Sequence, residues 1–320
     1  KPRWNLLPID LGYTMTTALT ETLGIRHPLL LAPMAFVAGG RLAAAVSDAG
    51  GLGFIGGGYG DAEWLEQEFQ EAGATRIGVG FITWTLARQP TLLDEILKHK
   101  PAAIWLSFGD PEPYVQSIRS AGALLVCQVQ TVADALRAKT VGANVIVAQG
   151  TEAGGHGADR ALFTLLPAVV DAVAPVPVAA AGGIAEARGV QAAFALGASG
   201  VAVGTRFFAT QEALGHPNVK QVLVEKTGAD TVRSRVFDHI RGYDWPQLYT
   251  GRTLHNDFLK RWQGRESELT ANLVKEQQCY QAAAMVGDTN TMAIFAGEGL
   301  DFIHDLPSAA EVVARLFPNP

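Results

Sequence analysis

The chain has 320 residues, of which 48% are hydrophobic and 18% are charged, and its formal net charge is −6. A chain of this size can bury a large core, and the composition is typical of a compact α/β enzyme rather than of a disordered or coiled-coil protein. Because the balance is acidic and no Lys/Arg cluster stands out, the sequence argues against nucleic acid and anionic membranes as partners.

Targeting signals and metal motifs are not evident. No apolar run reaches the ~18 residues of a membrane span, and the start lacks the apolar core of a secretory signal. A cytoplasmic location is therefore expected, with the oligomeric state open between monomer and homodimer. Residues 1–14 precede Met15 and are interpreted as an N-terminal extension, for which disorder is one expectation. Cys127 and Cys279 lie far apart without a CxxC pair, and the histidines are scattered, so no metal site is predicted.

Short apolar runs alternate with helix-like stretches along the first two thirds of the chain. The runs are continuous rather than alternating, which is typical of parallel strands buried on both faces. The predicted strands are Leu29–Phe36, Gly51–Gly57, Arg76–Trp84, Ala103–Gly109, Leu124–Val129, Asn144–Gly150, Val176–Ile184 and Gly200–Phe208. The predicted helices are Arg41–Ala49, Asp61–Ala72, Thr91–His99, Pro113–Ser120, Thr131–Lys139, Phe163–Val173 and Ala185–Leu196. Eight strands favour a (β/α)8 TIM barrel, with an open doubly wound sheet as the alternative.

The pattern changes after Phe208, where the chain becomes more polar and helix-rich. We predict a barrel formed by 15–210 and 291–320, with a helical substrate or lid domain over 211–290. The tail Ser308–Phe317 is expected to be the last barrel helix. The aromatic side chains of the inserted segment are assigned to its own core, with a place in the substrate pocket as the alternative: Tyr243, Trp245, Tyr249 and Trp262.

The run Gln149–Gly157, hereafter the histidine loop, follows the sixth predicted strand and reads QGTEAGGHG. Glycines allow a backbone to approach a ligand closely, and a histidine can move a proton near neutral pH. His156 is therefore the candidate catalytic residue, and Gly154 and Gly155 lie beside it. The alternative is a glycine-rich turn with an incidental histidine.

Two further strand ends carry residues suited to a phosphate. Gly182 and Gly183 follow the seventh strand, and Gly204 and Thr205 follow the eighth, where barrels often bind phosphate through backbone N–H groups. Tight βα turns are the alternative for both pairs.

A phosphate is one end of a cofactor, so the far side of the barrel mouth is where a flat ring of that cofactor is expected. The turn Pro33-Met34-Ala35, preceded by Ala32, is suited to supporting such a ring, because methionine packs well on aromatic surfaces. Gln149 could bond a polar ring edge through its amide. The alternatives are a core methionine for Met34 and a turn-stabilising side chain for Gln149.

These motifs carry a family resemblance. The matching segments are Ala32–Ala35, Gln149–His156, Ala181–Ile184, Gly204–Thr205 and Ala296–Gly299. The chain resembles the FMN-dependent nitronate monooxygenases, once called 2-nitropropane dioxygenases, from about Leu23 to the C-terminus. The resemblance implies FMN phosphate contacts at Gly182, Gly183, Gly204 and Thr205. It implies ring contacts at Pro33, Met34 and Gln149, and a catalytic base at His156.

The resemblance also implies a reaction, in which alkyl nitronates, and in some cases neutral nitroalkanes, are oxidised by O2 to a carbonyl compound and nitrite. Two departures affect the substrate more than the cofactor. The histidine loop continues as His156-Gly157-Ala158 where relatives often read HRG, and the third strand ends in Gly80-Phe81 where relatives often have an asparagine near the flavin. An FMN-dependent NAD(P)H:quinone or enoyl reductase is the alternative on the same fold. A non-redox sugar-phosphate enzyme or a flavin-storage protein is the alternative from another class.

Overall fold

The computed structural model describes residues 16–318, and the predicted N-terminal extension over 1–14 lies outside them. Within this range the strands are β1 Leu29–Leu31, β2 Phe54–Gly58, β3 Gly78–Ile82, β4 Ala103–Ser107, β5 Leu124–Val129, β6 Val145–Gln149, β7 Gly155–Gly157, β8 Val178–Ala181, β9 Gly200–Val203, β10 Thr231–Ser234 and β11 Thr250–Leu254. Eight of them correspond to the eight predicted apolar runs.

These eight strands form one parallel sheet in the order β1-β9-β8-β6-β5-β4-β3-β2. The two ends of the sheet meet where the Leu31 N–H donates to the Leu52 carbonyl at 3.0 Å and the Leu52 N–H donates to the Leu29 carbonyl at 2.9 Å. The sheet is therefore a nearly closed barrel. The predicted (β/α)8 architecture is confirmed, and the alternative of an open doubly wound sheet is wrong.

The helices are α1 Ala18–Leu23, α2 Gly40–Asp48, α3 Ala62–Ala72, α4 Thr83–Leu86, α5 Leu92–Leu97, α6 Glu112–Ser120, α7 Val132–Thr140, α8 Leu162–Val173, α9 Ala187–Ala195, α10 Thr205–Phe208, α11 Pro217–Glu225, α12 Val236–Arg241, α13 Asp257–Trp262, α14 Glu266–Ala271, α15 Leu273–Met285 and α16 Ala309–Leu316. Local signals explain their ends. The Asp61 carboxylate accepts the Trp64 N–H at 2.9 Å to begin α3, which ends at Gly73.

No helix among the described residues is long and apolar enough to cross a membrane.

Side chains that point into the barrel fill the half that lies nearest the amino ends of the strands. Leu19 and Leu23 of α1 pack against buried residues of the strands and cover the amino end of the barrel. Phe54 and Trp105 meet inside with ring centroids 5.2 Å apart and planes at 78°. The amino end is thereby solid, and open space is left at the carboxyl ends of the strands.

A second sheet joins the barrel to residues 211–290, hereafter the second segment. It is antiparallel, in the order β10-β11-β7, and pairs Gly251 of β11 with His156 of β7. The prediction of a helical second segment misses β10 and β11, because these strands are short and lack a continuous apolar run. The predicted eighth strand also ends early, because the chain turns into α10 after Gly204.

Candidate active site

A cavity of about 490 Å³ opens at the carboxyl ends of the barrel strands, under the second segment. The structure brings all eleven residues singled out from the sequence to its wall: Ala32, Pro33, Met34, Gln149, Gly154, Gly155, His156, Gly182, Gly183, Gly204 and Thr205. Residues that the sequence reasoning did not select complete the lining, among them Tyr59, Arg241 and Trp245.

The loops after β8 and β9 present unpaired backbone donors to this cavity. Gly183 has φ +68°, in the left-handed region that glycine adopts without strain. Within residues 16–318, the N–H groups of Gly183 and Thr205 have no hydrogen-bond acceptor. The Thr205 hydroxyl oxygen accepts the Gly297 N–H at 3.0 Å, which leaves the hydroxyl proton free to donate. Unpaired donors of this kind are suited to the oxygens of a phosphate.

Gln149, at the end of β6, ties the two ends of the histidine loop together. Its Nε2 donates to the His156 carbonyl at 2.7 Å, and its Oε1 accepts from Gln128 and, at 3.4 Å, from Gln130. The turn-stabilising interpretation of this side chain is therefore present in the geometry. Its predicted contact with a ring ligand stays a prediction.

The imidazole of His156 is paired with a carboxylate that the sequence analysis did not select. His156 Nε2 lies 2.8 Å from Asp238 Oδ1, and the two side chains are only 6% and 4% exposed. Burial lowers the pKa of His156 below its ordinary value of 6.5. The hydrogen bond and charge of Asp238 oppose this shift, and the charges of Arg241 and Arg233 add to it. The lowered pKa favours the neutral ring, and a neutral ring beside a carboxylate donates its Nε2 proton to Asp238 and leaves Nδ1 able to accept one.

Asp238 belongs to α12 of the second segment, far from His156 in sequence. In the sequence, the one feature that could have drawn attention to Asp238 is an acidic residue directly after the apolar pair Val236-Phe237. A carboxylate buried in such a place needs a partner. The sequence could not identify that partner. Among the described residues, no three His, Cys, Asp or Glu side chains are grouped so as to hold a metal ion.

Trp245 covers one face of the His156 ring. The two ring centroids are 3.5 Å apart and the planes are within 5° of parallel. The indole Nε1 also donates to the Tyr59 hydroxyl at 3.3 Å. The assignment of Trp245 to the core of the second segment is therefore wrong, because its ring packs on the histidine loop, whereas Trp262 does lie in that core beside Phe258.

Arg233 of β10 also holds the histidine loop. Its guanidinium donates to the carbonyls of Thr151 at 3.0 Å, Gly157 at 3.2 Å and Thr250 at 2.6 Å. Burial, with the neighbouring charge of Arg252, lowers the pKa of Arg233 to about 10. The second segment thus fixes the backbone that carries His156.

Comparisons with known proteins agree with this geometry. Residues 16–81 and 75–319 match the family model described as nitronate monooxygenase. The nitronate monooxygenase npaC of Metarhizium robertsii is 34% identical over 325 residues, which cover 90% of this chain and 89% of the relative. The structure of FabK from Thermotoga maritima is similar with a TM-score of 0.83 and 30% identity, covering 96% of each chain. That of nitroalkane oxidase from Streptomyces ansochromogenes has a TM-score of 0.80 and 29% identity, covering 94% of this chain and 96% of the other.

Proposed function

Because the chain belongs to the nitronate monooxygenase family, we propose that this oxidoreductase uses FMN and O2 to convert alkyl nitronates to carbonyl compounds and nitrite. Neutral nitroalkanes are proposed as further substrates. The observation that carries the proposal is the buried pair of His156 and Asp238 at the wall of the cavity. A neutral imidazole held by a carboxylate is the arrangement expected of a general base.

The cavity wall fits FMN. The unpaired N–H groups of Gly183 and Thr205, with Gly182 and Gly204 beside them, would hold the phosphate. A Cβ added to Gly183 would lie 3.3 Å from the Glu152 Cβ, so this loop favours glycine by packing as well as by its backbone. When bound, FMN supplies the electron-accepting chemistry that amino-acid side chains lack.

The flavin ring would lie between the remaining predicted residues. Pro33 and Met34, preceded by Ala32, would support it from the end of β1, and Gly154 and Gly155 would allow it to approach the histidine loop. Gln149 donates one amide hydrogen to His156 and has a second for a polar ring atom. These roles follow from the family resemblance together with a shared position on one cavity.

His156 has a defined task with a neutral nitroalkane. With the Nε2 proton directed at Asp238, Nδ1 takes the α-proton and the substrate becomes the nitronate. The imidazolium that forms is stabilised by the carboxylate already beside it. A pre-formed nitronate has lost this proton and does not need the base.

The proposed function is tested by oxygen uptake and nitrite release from FMN-loaded protein given a pre-formed alkyl nitronate. We expect rapid uptake with the wild type and comparable uptake with His156→Asn. With a neutral nitroalkane, His156→Asn is expected to lose roughly 10²- to 10⁴-fold in rate, the range typical of a general base. A yellow protein that consumes no oxygen with nitronate would contradict the proposal.

The reductase alternative predicts a different result in the same preparation. A protein of that kind is bleached rapidly by NADH under anaerobic conditions, whereas the proposed function requires no nicotinamide. The cytoplasmic location and the choice between monomer and homodimer stay predictions.

A further inference from the structure

Arg241 is a charged residue of the cavity wall that the proposed chemistry does not use. It is the last residue of α12, and its side chain lines the cavity. Its Nη1 is buried without a hydrogen-bond partner in the described part of the chain. A guanidinium carries five N–H donors, and a buried donor left unpaired is unfavourable. The side chain is therefore ready for an acceptor that the protein itself does not provide.

Aromatic rings surround this guanidinium. The Arg241 Cζ lies 4.8 Å from the ring centroid of Tyr243, 5.3 Å from that of Phe295 and 5.6 Å from that of Tyr59. Ring faces attract a cation, but they accept none of its hydrogen bonds in the plane of the fork. They fix the position of the guanidinium and keep water from part of it. The N–H donors that remain unpaired lie in the plane of the guanidinium. They therefore suit a planar acceptor with two oxygens.

The nearest carboxylate in the helix, that of Asp238, is not hydrogen-bonded to Arg241. Asp238 lies three residues before Arg241, on the same face of α12, and its Oδ1 faces His156 Nε2 at 2.8 Å. Its Oδ2 is buried and, among the described residues, has no hydrogen-bond partner, so neither oxygen accepts from Arg241. The guanidinium of Arg241 and the imidazole of His156 share one neighbour, the ring of Phe295. Phe295 lies 5.3 Å from the Arg241 Cζ and 5.5 Å, centroid to centroid, from the His156 ring. An anion held by Arg241 would therefore lie in the same cavity as the candidate base, on the side of it that Phe295 lines.

We propose that Arg241 binds the two oxygens of the nitronate group and makes the site prefer the anionic nitronate over the neutral nitroalkane. The inference rests on the proposed function for the identity of the anion. A nitronate is planar, carries its charge on two oxygens of one nitrogen, and matches the guanidinium fork. A neutral nitro group has the same shape with less charge on these oxygens, so it gains less from the contact.

Nitrite tests the anion site without turnover, because it is a planar anion with two oxygens on nitrogen. Calorimetric titration of the FMN-loaded protein with sodium nitrite is expected to give a Kd about 10- to 100-fold higher for Arg241→Gln than for the wild type, the range for loss of a charge-assisted hydrogen bond. Arg88→Gln is the matched control. Arg88 also packs on a ring, 4.9 Å from the Trp84 centroid, but lies outside the cavity. Its Kd should equal that of the wild type.

A second variant keeps the test decisive if Arg241→Gln loses its flavin. Arg241→Lys retains the charge without the planar fork, and we expect it to raise the Kd for nitrite severalfold while FMN stays bound. In either variant, nitrite binding as tight as in the wild type would overturn the inference.

Steady-state kinetics separate this inference from the proposed function. With Arg241→Gln, KM should rise for a nitronate, while the inhibition constant of 2-methyl-2-nitropropane, which has no α-hydrogen and stays neutral, should not change. Equal weakening of both ligands would contradict a role in charge recognition. A wild type that oxidises no nitronate would instead remove the proposed function, and the nitrite titration would still decide whether Arg241 is an anion site.

Discussion

The indole of Trp245 lies flat against the imidazole of His156, with ring centroids 3.5 Å apart. One residue belongs to the second segment and the other to a barrel loop, so the contact ties the orientation of the candidate base to the position of a distant part of the chain. The Tyr59 hydroxyl, which accepts the indole N–H, fixes the tryptophan in turn.

Replacing Trp245 tests whether the stacking orients the base. Trp245→Leu is expected to lower kcat with a neutral nitroalkane roughly 10- to 100-fold, because small misplacements of a reacting group are costly. Nitronate oxidation should fall much less. Trp262→Leu, in the core of the second segment, is the control: it should lower thermal stability and leave the ratio of the two activities unchanged. Equal losses with both substrates in Trp245→Leu would count against an orienting role.

Asp238→Asn is expected to reduce proton abstraction without abolishing oxidation. An amide in place of the carboxylate can turn its NH2 toward Nε2 and favour the wrong tautomer of His156. We expect turnover of neutral nitroalkane to fall roughly 10²- to 10⁴-fold. The primary isotope effect with an α-deuterated nitroalkane should rise, because proton transfer becomes more rate-limiting. Retained nitronate oxidation would show that the flavin site is intact, and an unchanged isotope effect would argue against this role.

The pH profile should report the lowered pKa of His156. The base works as neutral imidazole, so kcat/KM with neutral nitroalkane is full above this pKa and falls as the pH drops through it. Because burial lowers the pKa, the acid limb should lie below pH 6.5. Asp238 opposes the shift, so Asp238→Asn should move the limb lower still, while Arg241 and Arg233 act in the same direction as burial. A limb above pH 6.5 would contradict the assignment.

Gly183→Ala is expected to weaken FMN binding about tenfold. The backbone at φ +68° disfavours an L-residue by roughly 1–2 kcal/mol, and the added methyl would also press on Glu152 beside the phosphate donors. Gly264→Ala is the matched control, with φ +78° and no atom within 4 Å of the added Cβ. Both variants should lose similar stability, and only Gly183→Ala should show a higher Kd for FMN in a fluorescence titration. Equal FMN affinity in the two would remove Gly183 from the phosphate site.

Arg233→Met should loosen the histidine loop. Three partly buried carbonyls lose a charged donor in this variant. We therefore expect the free energy of unfolding to fall by about 3 kcal/mol and Tm to fall by about 5 °C. Arg315→Met is the control, because its ion pair with Asp305 is exposed and worth at most about 1 kcal/mol. Differential scanning calorimetry of both variants measures the difference, and equal Tm values would show that the loop is held by other contacts.

The sequence predicted the barrel and one side of the site, and physical reasons limit the rest. Continuous apolar runs mark buried parallel strands, and the glycine, proline and histidine positions follow directly from the strand ends. Asp238, Trp245 and Arg241 reach the cavity only through the folding of the second segment. Nothing local distinguishes an aspartate that will face a histidine 82 residues away from one that will face water.

The pairing of β7 with β11 has a consequence for substrate exchange. His156 lies within that pairing, opposite Gly251, so its backbone is shared between the barrel and the second segment. The second segment cannot swing away like a hinged cover unless this ladder breaks and the base moves with it. Entry and product release must then depend on smaller movements of side chains and loops at the rim, and the hydrogen-bonded amides of the β7–β11 ladder should exchange slowly during turnover.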